Sequence, residues 1–316
     1  MFAVGLAAMG TVAVGSRNPT RELAAVRPLA AAAADSSPTP EAPSSAVPPL
    51  PRAPAVPPPL PEGTVPIIYL HRVEAAPAEF PRWSKAHQAE FLRYDLLPTA
   101  FGAQLDWLDA HGYTTILPRD LAAHWDDGAA LPPRPVILTF DDGSPTWTRT
   151  ILPLLQAHHM VAEFYLTLDA IAHGSISWAE VRELAAAGNG IGAHDVHHVQ
   201  LAMLGADRAP ASQATMWFEV NQARLIIGAH VGVPPDSMAY VGGGFNATLE
   251  ALVKKAGYTT ARGIERGIEQ DVAHRYDLDV VRIGGHDDVV DVMTGQLVDG
   301  LPTFAARMAG VSDRKP

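Results

Sequence analysis

The strongest constraint on the fold is the regular alternation of short apolar segments and helix-like segments that begins at Thr64. The apolar segments are bounded by Pro, Gly or polar residues, as buried strands commonly are. Such alternation is typical of a parallel α/β arrangement, because parallel strands need a crossover, usually a helix, between them. About seven such units, with no Gly-x-Gly-x-x-Gly after the first strand, favour a distorted (β/α) barrel over a dinucleotide-binding sheet.

The pattern predicts strands and helices at specific positions along the chain. The predicted strands are residues 65–70, 113–117, 135–140, 161–166, 191–193, 238–241, 258–261 and 280–283. The predicted helices are residues 101–111, 120–125, 146–158, 178–187, 213–230 and 249–256.

The N-terminal part of the chain does not follow this pattern. Residues 1–16 are small, apolar and uncharged, and three arginines follow, so residues 1–27 resemble an export signal or signal anchor. Residues 28–63 are an Ala/Pro-rich linker, since 12 of the 28 prolines lie in Pro38–Pro66 and this composition cannot bury a core. We therefore expect a single domain over 64–316 that is exported and either released or membrane-anchored; the alternative is a mobile tail on a cytoplasmic protein.

Charge and cysteine content exclude several classes of function. The net charge of −11 argues against nucleic-acid binding, which normally requires a basic face. The absence of cysteine excludes disulfides, thiolate metal sites and a cysteine nucleophile. Any bound metal must therefore be held by carboxylates and by some of the 13 histidines.

Two adjacent carboxylates follow the clearest predicted strand, in Thr139-Phe140-Asp141-Asp142-Gly143. Sites in parallel α/β folds are built at this end of the strands. Adjacent residues on extended backbone point in different directions, so one carboxylate can bind a metal while the other remains free as a base. A second Asp-Asp-Gly at 126–128 lacks a preceding strand and is typical of a turn, which is also the alternative for Asp141 and Asp142.

A histidine cluster, Gly192-Ala193-His194-Asp195-Val196-His197-His198, follows another predicted strand. Two imidazoles four residues apart on one helical turn would point the same way and could bind one ion, with His197 as an alternative partner. Surface histidines in a loop are the other interpretation. Two histidines and one carboxylate form a facial set that leaves positions open for water and substrate.

These motifs resemble those of the polysaccharide deacetylases, the NodB-homology domain of carbohydrate esterase family 4. The segment 139–143 is similar to the first family motif, and His194 with His198 is similar to the second, His-Ser/Thr-x-x-His. His71-Arg72-Val73 resembles a segment of a subgroup acting on poly-N-acetylglucosamine. The resemblance covers roughly residues 64–290 and implies a distorted (β/α) barrel of about seven strands.

The resemblance also implies a reaction and a role for each site residue. Asp142, His194 and His198 would bind a divalent metal, usually Zn²⁺ but also Co²⁺ or Ni²⁺. Asp141 would be the general base, and His286 the general acid that protonates the leaving amine. His71 is expected only to line the pocket.

The implied function is a metal-dependent hydrolase that removes N-acetyl groups from an extracellular or cell-wall polysaccharide of the N-acetylglucosamine type. Such an enzyme acts on carbon–nitrogen bonds of linear amides, and we expect a monomer whose partner is the polysaccharide. The alternatives are a non-catalytic glycan-binding relative that retains the metal site and an O-acetyl polysaccharide esterase.

The sequence departs from the family pattern at three places. Asp195 stands where the family has Ser or Thr, and it could either hydrogen-bond a ligand histidine or cap the turn. Val241-Gly242-Gly243 replaces the subgroup's Pro-Tyr-Gly, a segment that helps to shape the groove and supplies an oxyanion N–H, for which Gly242 is the remaining candidate. The arginine that orients the base in other members has no clear counterpart in the sequence.

Overall fold

The computed structural model describes residues 64–204, 210–267, 269–283, 297–298 and 301–302. The predicted signal segment 1–27 and linker 28–63 therefore lie outside the described residues. None of the helices within the described ranges is both long enough and apolar enough to cross a membrane.

The described chain alternates strands and helices as predicted. The strands are β1 (Ile67–Leu70), β2 (Arg72–Val73), β3 (Asp95–Leu96), β4 (Thr114–Thr115), β5 (Pro135–Asp142), β6 (Glu163–Leu166), β7 (Gly190–Ala193), β8 (Ser237–Ala239), β9 (Thr260–Arg266), β10 (Leu278–Arg282), β11 (Leu297–Val298) and β12 (Leu301–Pro302). The helices are α1 (Lys85–Tyr94), α2 (Pro98–Ala110), α3 (Pro118–Asp127), α4 (Leu152–Ala157), α5 (Leu168–Ala172), α6 (Trp178–Ala186), α7 (Pro210–Val231) and α8 (Ala247–Ala256).

Seven of these strands form a nearly closed parallel barrel. Hydrogen-bonded neighbours follow the order β1, β10, β9, β8, β7, β6, β5, and β5 pairs back to β1. The short β4 also pairs in parallel with the first two residues of β5. The predicted distorted (β/α) barrel of about seven strands is therefore confirmed.

Local differences from the predicted elements have identifiable causes. The strand predicted at 135–140 continues to Asp142, because the two acidic residues still pair with β6. The helix predicted at 146–158 is divided into a π-helical turn, Trp147–Ile151, and α4. The Asp-Asp-Gly at 126–128 ends α3, with Gly128 as a left-handed cap at φ 69°, so this copy of the motif has a structural role at a helix end.

The barrel interior is partly polar. Residues paired in register across parallel strands share a face, and the register places Thr139 beside Glu163, and Asp141 beside Tyr165. An apolar cluster that includes Ile67, Tyr69 and Ile137 packs within the same ring of strands. The larger apolar core lies between the strands and the surrounding helices, and its members include Phe101, Phe140, Trp147, Phe164, Leu184 and Val253.

Candidate metal and catalytic site

The carboxyl ends of β5 and β7 bring together the three residues proposed as metal ligands. Asp142 ends β5, and His194 directly follows β7. The Oδ1 atom of Asp142 lies 3.1 Å from Nε2 of His198 and 3.5 Å from Nε2 of His194. One ligand atom from each of the three residues lies within 4.8 Å of the other two, which is close enough for all three to bind a single ion.

The donor chemistry of this cluster fits a divalent transition metal. The buried His194 ring donates from Nδ1 to the carbonyl oxygen of Ala239 at 2.8 Å, since a carbonyl can only accept. When the ring is neutral, that hydrogen bond keeps the proton on Nδ1 and leaves the Nε2 lone pair free to bind a metal, as is usual for metal-ligating histidines. Two imidazole nitrogens and one carboxylate oxygen leave further coordination positions for water and substrate.

In the metal-free chain, the carboxylate and imidazoles stabilise one another electrostatically. Burial alone raises the pKa of Asp142, but hydrogen bonds from His194 and His198 and the charge of His194 outweigh it and hold this pKa well below its usual range. Burial lowers the pKa of His194, whereas its hydrogen bond to Asp142 and the negative charge of both adjacent aspartates raise it, to about 9 overall. A bound cation would take the place of the proton held there.

His198 reaches the cluster from a loop, and the expected helical turn is wrong. Asp195 and His198 have left-handed φ values of 58° and 53°, which fold the chain back after β7. The fully buried Asp195 carboxylate accepts from the backbone N–H of His198 at 2.6 Å and of Val199 at 3.0 Å. Of the two roles considered for Asp195, these contacts assign it the cap of the turn that carries His198.

The alternative ligand His197 is directed elsewhere. Its Nδ1 lies 2.6 Å from Oε1 of Glu219, a buried residue of α7. The second oxygen of Glu219 accepts from the backbone N–H groups of Val196 and His197, both at 3.0 Å. Glu219 therefore stabilises the loop through Val196 and His197, on the side away from the candidate metal ligands. The hypothesis that His197 is one of the metal ligands is wrong.

Asp141 points into the barrel, away from the direction taken by Asp142. Its Oδ1 accepts from Nη2 of Arg262 on β9, and both side chains are almost fully buried. Asp142 has φ 81°, which turns its side chain to the rim, where it is about half exposed. The two neighbouring carboxylates thus have different partners, as expected, but the cause is the left-handed backbone at Asp142 and not an extended conformation of both residues.

Arg262 corrects the expectation that the base has no orienting arginine. It lies 121 residues after Asp141 in the chain, within the segment Thr260-Ala261-Arg262-Gly263 of β9. A charged residue inside a strand that alternates with apolar Ala261 was the available signal, because an arginine that faces the barrel interior needs a carboxylate partner. No short motif identifies Arg262, because the carboxylate that it pairs with lies 121 residues away in the chain.

The remaining predicted site residues have varied positions. His71 follows β1, and its Nε2 lies 3.4 Å from the Tyr69 hydroxyl oxygen. Burial lowers the pKa of His71, and the charges of Asp141 and Asp142 partly offset this. His286, the predicted general acid, lies outside the described residues. Trp147, which follows Asp142 closely in the chain, is fully buried against Phe164 and does not line the site.

A groove of about 380 Å³ opens beside the cluster formed by Asp142, His194 and His198. Asp142 and His198 line one part of it, and Arg72, Asp169 and His173 line others. The guanidinium of Arg72 is held by the buried Asp95 through two hydrogen bonds of 2.7 Å. The groove therefore presents polar and charged groups next to the cluster.

The segment that departs from the family pattern forms a tight turn at the same end of the barrel. Val241–Gly243 is a single 3-10 turn after β8, and Gly242 and Gly243 have φ values of 65° and 75°. A Cβ at Gly243 would lie 2.2 Å from Cγ1 of Ile264, so this position accepts only glycine. The missing Pro and Tyr of the family pattern are thus replaced by a turn with its own steric requirement.

Comparison with known proteins supports the same interpretation of fold and family. The sequence model of the family described as "Polysaccharide deacetylase" matches residues 128–261, which contain Asp141, Asp142, His194 and His198. The curated Bacillus subtilis (strain 168) protein "Putative polysaccharide deacetylase YxkH" is 23% identical over 184 residues. That match covers 58% of this chain and only 63% of the relative's own length.

Two solved deacetylase structures illustrate the structural similarity. Streptococcus pyogenes deacetylase PplD, solved in complex with acetate, matches with a TM-score of 0.63 and 18% identity over 74% of this chain and 97% of its own. IcaB from Ammonifex degensii matches with a TM-score of 0.58 and 18% identity over 69% of this chain and 91% of its own. At such identities the likeness concerns the fold, whereas the segment 128–261 matches the polysaccharide deacetylase family: this part of the chain, which carries the candidate site, is a polysaccharide deacetylase domain by its sequence match and lies in a barrel like those of the solved structures.

Proposed function

We propose that this protein is a metal-dependent hydrolase that removes N-acetyl groups from an extracellular or cell-wall polysaccharide of the N-acetylglucosamine type. The observation that carries the proposal is the placement of two differently used carboxylates at one barrel end. Asp142 joins His194 and His198 in a set able to hold a metal, and Asp141 lies next to it with its own arginine. This is the arrangement that hydrolysis of an amide by an activated water requires.

Each residue has a role in this proposal. The metal, Zn²⁺ with Co²⁺ or Ni²⁺ as alternatives, would lower the pKa of a water molecule and polarise the acetyl carbonyl. Arg262 binds Oδ1 of Asp141 and keeps this carboxylate in one orientation, with the other oxygen available to accept a proton from water. We assign the oxyanion N–H to the turn containing Gly242, which follows Ala239, the carbonyl partner of His194.

The leaving amine needs a proton, and we propose a histidine as its donor. His286 is the family-based assignment, and His71 is a described histidine outside the ligand set whose charge interacts with both aspartates. Burial of His71 favours its neutral form, which supports His286 as the donor at neutral pH. Comparison of His286→Ala with His71→Ala tests the assignment: His286→Ala should abolish the basic limb of the rate profile, and loss of that limb only in His71→Ala would reverse it.

Acetate release is the decisive measurement for the reaction. Metal-loaded protein is incubated with partly N-acetylated glucosamine oligomers, with and without chelator, and released acetate is quantified. We expect release that chelator abolishes, and a loss of about 10²–10⁴-fold in Asp141→Asn, the range typical of removing a general base. The matched control is Asp126→Asn, which changes the other Asp-Asp-Gly at the surface and should leave kcat unaffected.

The two alternative functions predict different outcomes of the same assay. An O-acetyl esterase would release acetate from O-acetylated xylan oligomers and none from the glucosamine substrate. A non-catalytic glycan-binding relative would bind the oligomer, retain the metal and release no acetate from either substrate. Either outcome would contradict the proposed N-deacetylase.

We also propose that the protein acts outside the cell as a monomer, either released or held at the membrane by its N-terminus. The apolar character of residues 1–27 and the Ala/Pro-rich residues 28–63 support this location. Cell fractionation of the full chain and of a variant lacking residues 1–27 tests it. Cytoplasmic recovery of the full chain would contradict it, and size-exclusion chromatography with light scattering tests the monomer.

A further inference from the structure

The guanidinium of Arg262 has few hydrogen-bond partners for a buried cation. Its side chain is 1% exposed, and it donates from Nη2 to Asp141 and from Nη1 to the Gly263 carbonyl at 3.3 Å. Its Nε is buried without a hydrogen-bond partner. Because a guanidinium carries five N–H donors, these two contacts alone leave its orientation weakly determined.

Two aromatic rings contact this cation inside the barrel. The Cζ atom of Arg262 lies 4.8 Å from the ring centroid of Tyr69 on β1 and 4.8 Å from that of Tyr165 on β6. Tyr165 is 1% exposed and Tyr69 is 9% exposed, so these cation–π contacts lie away from bulk water. Such contacts are strongest when desolvated, and they restrict the plane of the guanidinium.

The ring of Tyr165 is itself fixed by neighbouring strands. Its hydroxyl lies 2.7 Å from Oγ of Ser237 on β8, and that Oγ accepts from the Thr260 hydroxyl at 3.0 Å. At Gly192 on β7, a Cβ would lie 2.4 Å from Cδ1 of Tyr165, so the ring occupies the space that a side chain at this position would need. The ring therefore has a defined position between β7 and Arg262.

We infer that Tyr165 is a positioning residue for the catalytic base. Its ring holds the Arg262 guanidinium in the orientation in which Nη2 meets Oδ1 of Asp141. Tyr69 contributes the second ring, but its hydroxyl also contacts His71, so Tyr165 separates this role more cleanly from the chemistry at the rim. The inference rests on the proposed function only in its assignment of Asp141 as the base.

Substitutions that separate the ring from the hydroxyl test the inference. In acetate release by the metal-loaded full chain, Tyr165→Leu should lower kcat at least about tenfold with KM changed less than about twofold, because displacing a catalytic group affects the chemical step. Tyr165→Phe retains the ring and should restore kcat to within about threefold of wild type. If Phe is as defective as Leu, or Leu has wild-type kcat, the inference is overturned.

Tyr258→Leu is the matched control for loss of a buried tyrosine. Tyr258 is also buried, has an arginine, Arg224, against its ring at 5.6 Å, and donates from its hydroxyl to the Val220 carbonyl between helices α7 and α8. This control should lose stability without a comparable loss of kcat. In an Arg262→Met background, Tyr165→Leu should change kcat by less than about twofold, since the group it positions is gone. A full additional tenfold loss would contradict the inference.

A spectroscopic measurement separates failure of this inference from failure of the proposed function. In wild-type protein, the guanidinium proton resonances of Arg262, assigned by their loss in Arg262→Lys, should be shifted upfield by the rings. Tyr165→Leu should reduce that shift, and Tyr165→Phe should preserve it. The upfield shift is independent of acetate release. Its presence in an inactive protein would refute only the proposed function, and its absence in wild type would refute the positioning role of Tyr165.

Discussion

The buried ion pair between Arg262 and Asp141 predicts that Asp141→Asn has opposite effects on the free energy of unfolding in wild-type protein and in an Arg262→Met variant. Both side chains are 5% exposed or less, and they join β9 to β5 across the barrel. Arg262→Met removes the cation and leaves a carboxylate among buried groups. Asp141→Asn removes the anion and leaves a buried guanidinium that contacts two aromatic rings.

The expected size of the effect follows from the burial of the pair. Two unit charges about 4 Å apart attract by about 4 kcal/mol at an effective dielectric constant of about 20. Removing one partner of a buried pair typically costs about 3–5 kcal/mol, because the remaining charge loses its compensation. We therefore expect Arg262→Met to lower the free energy of unfolding by about 3–5 kcal/mol at neutral pH.

Urea denaturation of four proteins measures the coupling: wild type, each single variant and the double variant. Asp141→Asn should destabilise the wild type but stabilise the Arg262→Met background, since there it removes an unpaired buried charge. The exposed pair of Arg275 and Asp126 is the control, and Asp126→Asn should have a much smaller effect. Equal effects of Asp141→Asn in both backgrounds would refute the electrostatic reasoning.

Three further predictions concern the barrel interior and the metal cluster. Gly192→Ala should lower the free energy of unfolding by about 1–3 kcal/mol, because the added methyl group overpacks the barrel interior. Gly102→Ala, in helix α2 with open space around it, should raise the free energy of unfolding by about 0.5–1 kcal/mol. Equal effects of the two substitutions in urea denaturation would argue against this interior packing. Because the pKa of His194 is raised to about 9 in the metal-free chain, its contribution to stability is complete below about pH 6.5 and is lost as pH rises through about 9. Melting temperatures should show that loss and calorimetry should show tighter metal binding over the same interval; a flat pH dependence of both would be the contrary result. Asp195→Ala should weaken metal affinity by about 10–100-fold, because the turn that presents His198 loses its cap, and Asp195→Asn should weaken it less; unchanged affinity in Asp195→Ala would be inconsistent with this role.

Most of the fold could be predicted from sequence because its signals are local. The apolar segments before Asp141 and His194 are long enough to indicate strands, and each ends at residues able to bind a metal. Different directions for the two adjacent aspartates were also predicted from local sequence, although the left-handed φ of 81° at Asp142, rather than strand alternation, turns its side chain to the rim. The strand ends that carry Asp141, Asp142 and His194 could therefore be identified without knowledge of contacts between distant residues.

Other features could not be predicted because they depend on residues far apart in the chain. His197 has the same local context as His198, and only the approach of Glu219 on α7 directs it away from the cluster. Trp147 likewise follows Asp142 closely in the chain, but the π-helical turn buries its side chain in the core instead of exposing it at the site. In each case a tertiary contact decided between two roles that were equally compatible with the local sequence.

By itself, the sequence determined the alternation of strands and helices, the two acidic residues at the end of β5 and the histidines after β7, since periodicity and strand-end position are encoded over a few residues. The tertiary structure alone decided that Arg262, 121 residues from Asp141, is the partner of that carboxylate. Closure of the barrel brings β9 and β5 to face each other across its interior, where a buried charge is stable only beside its opposite. The pairing of base and arginine is therefore a property of the closed barrel.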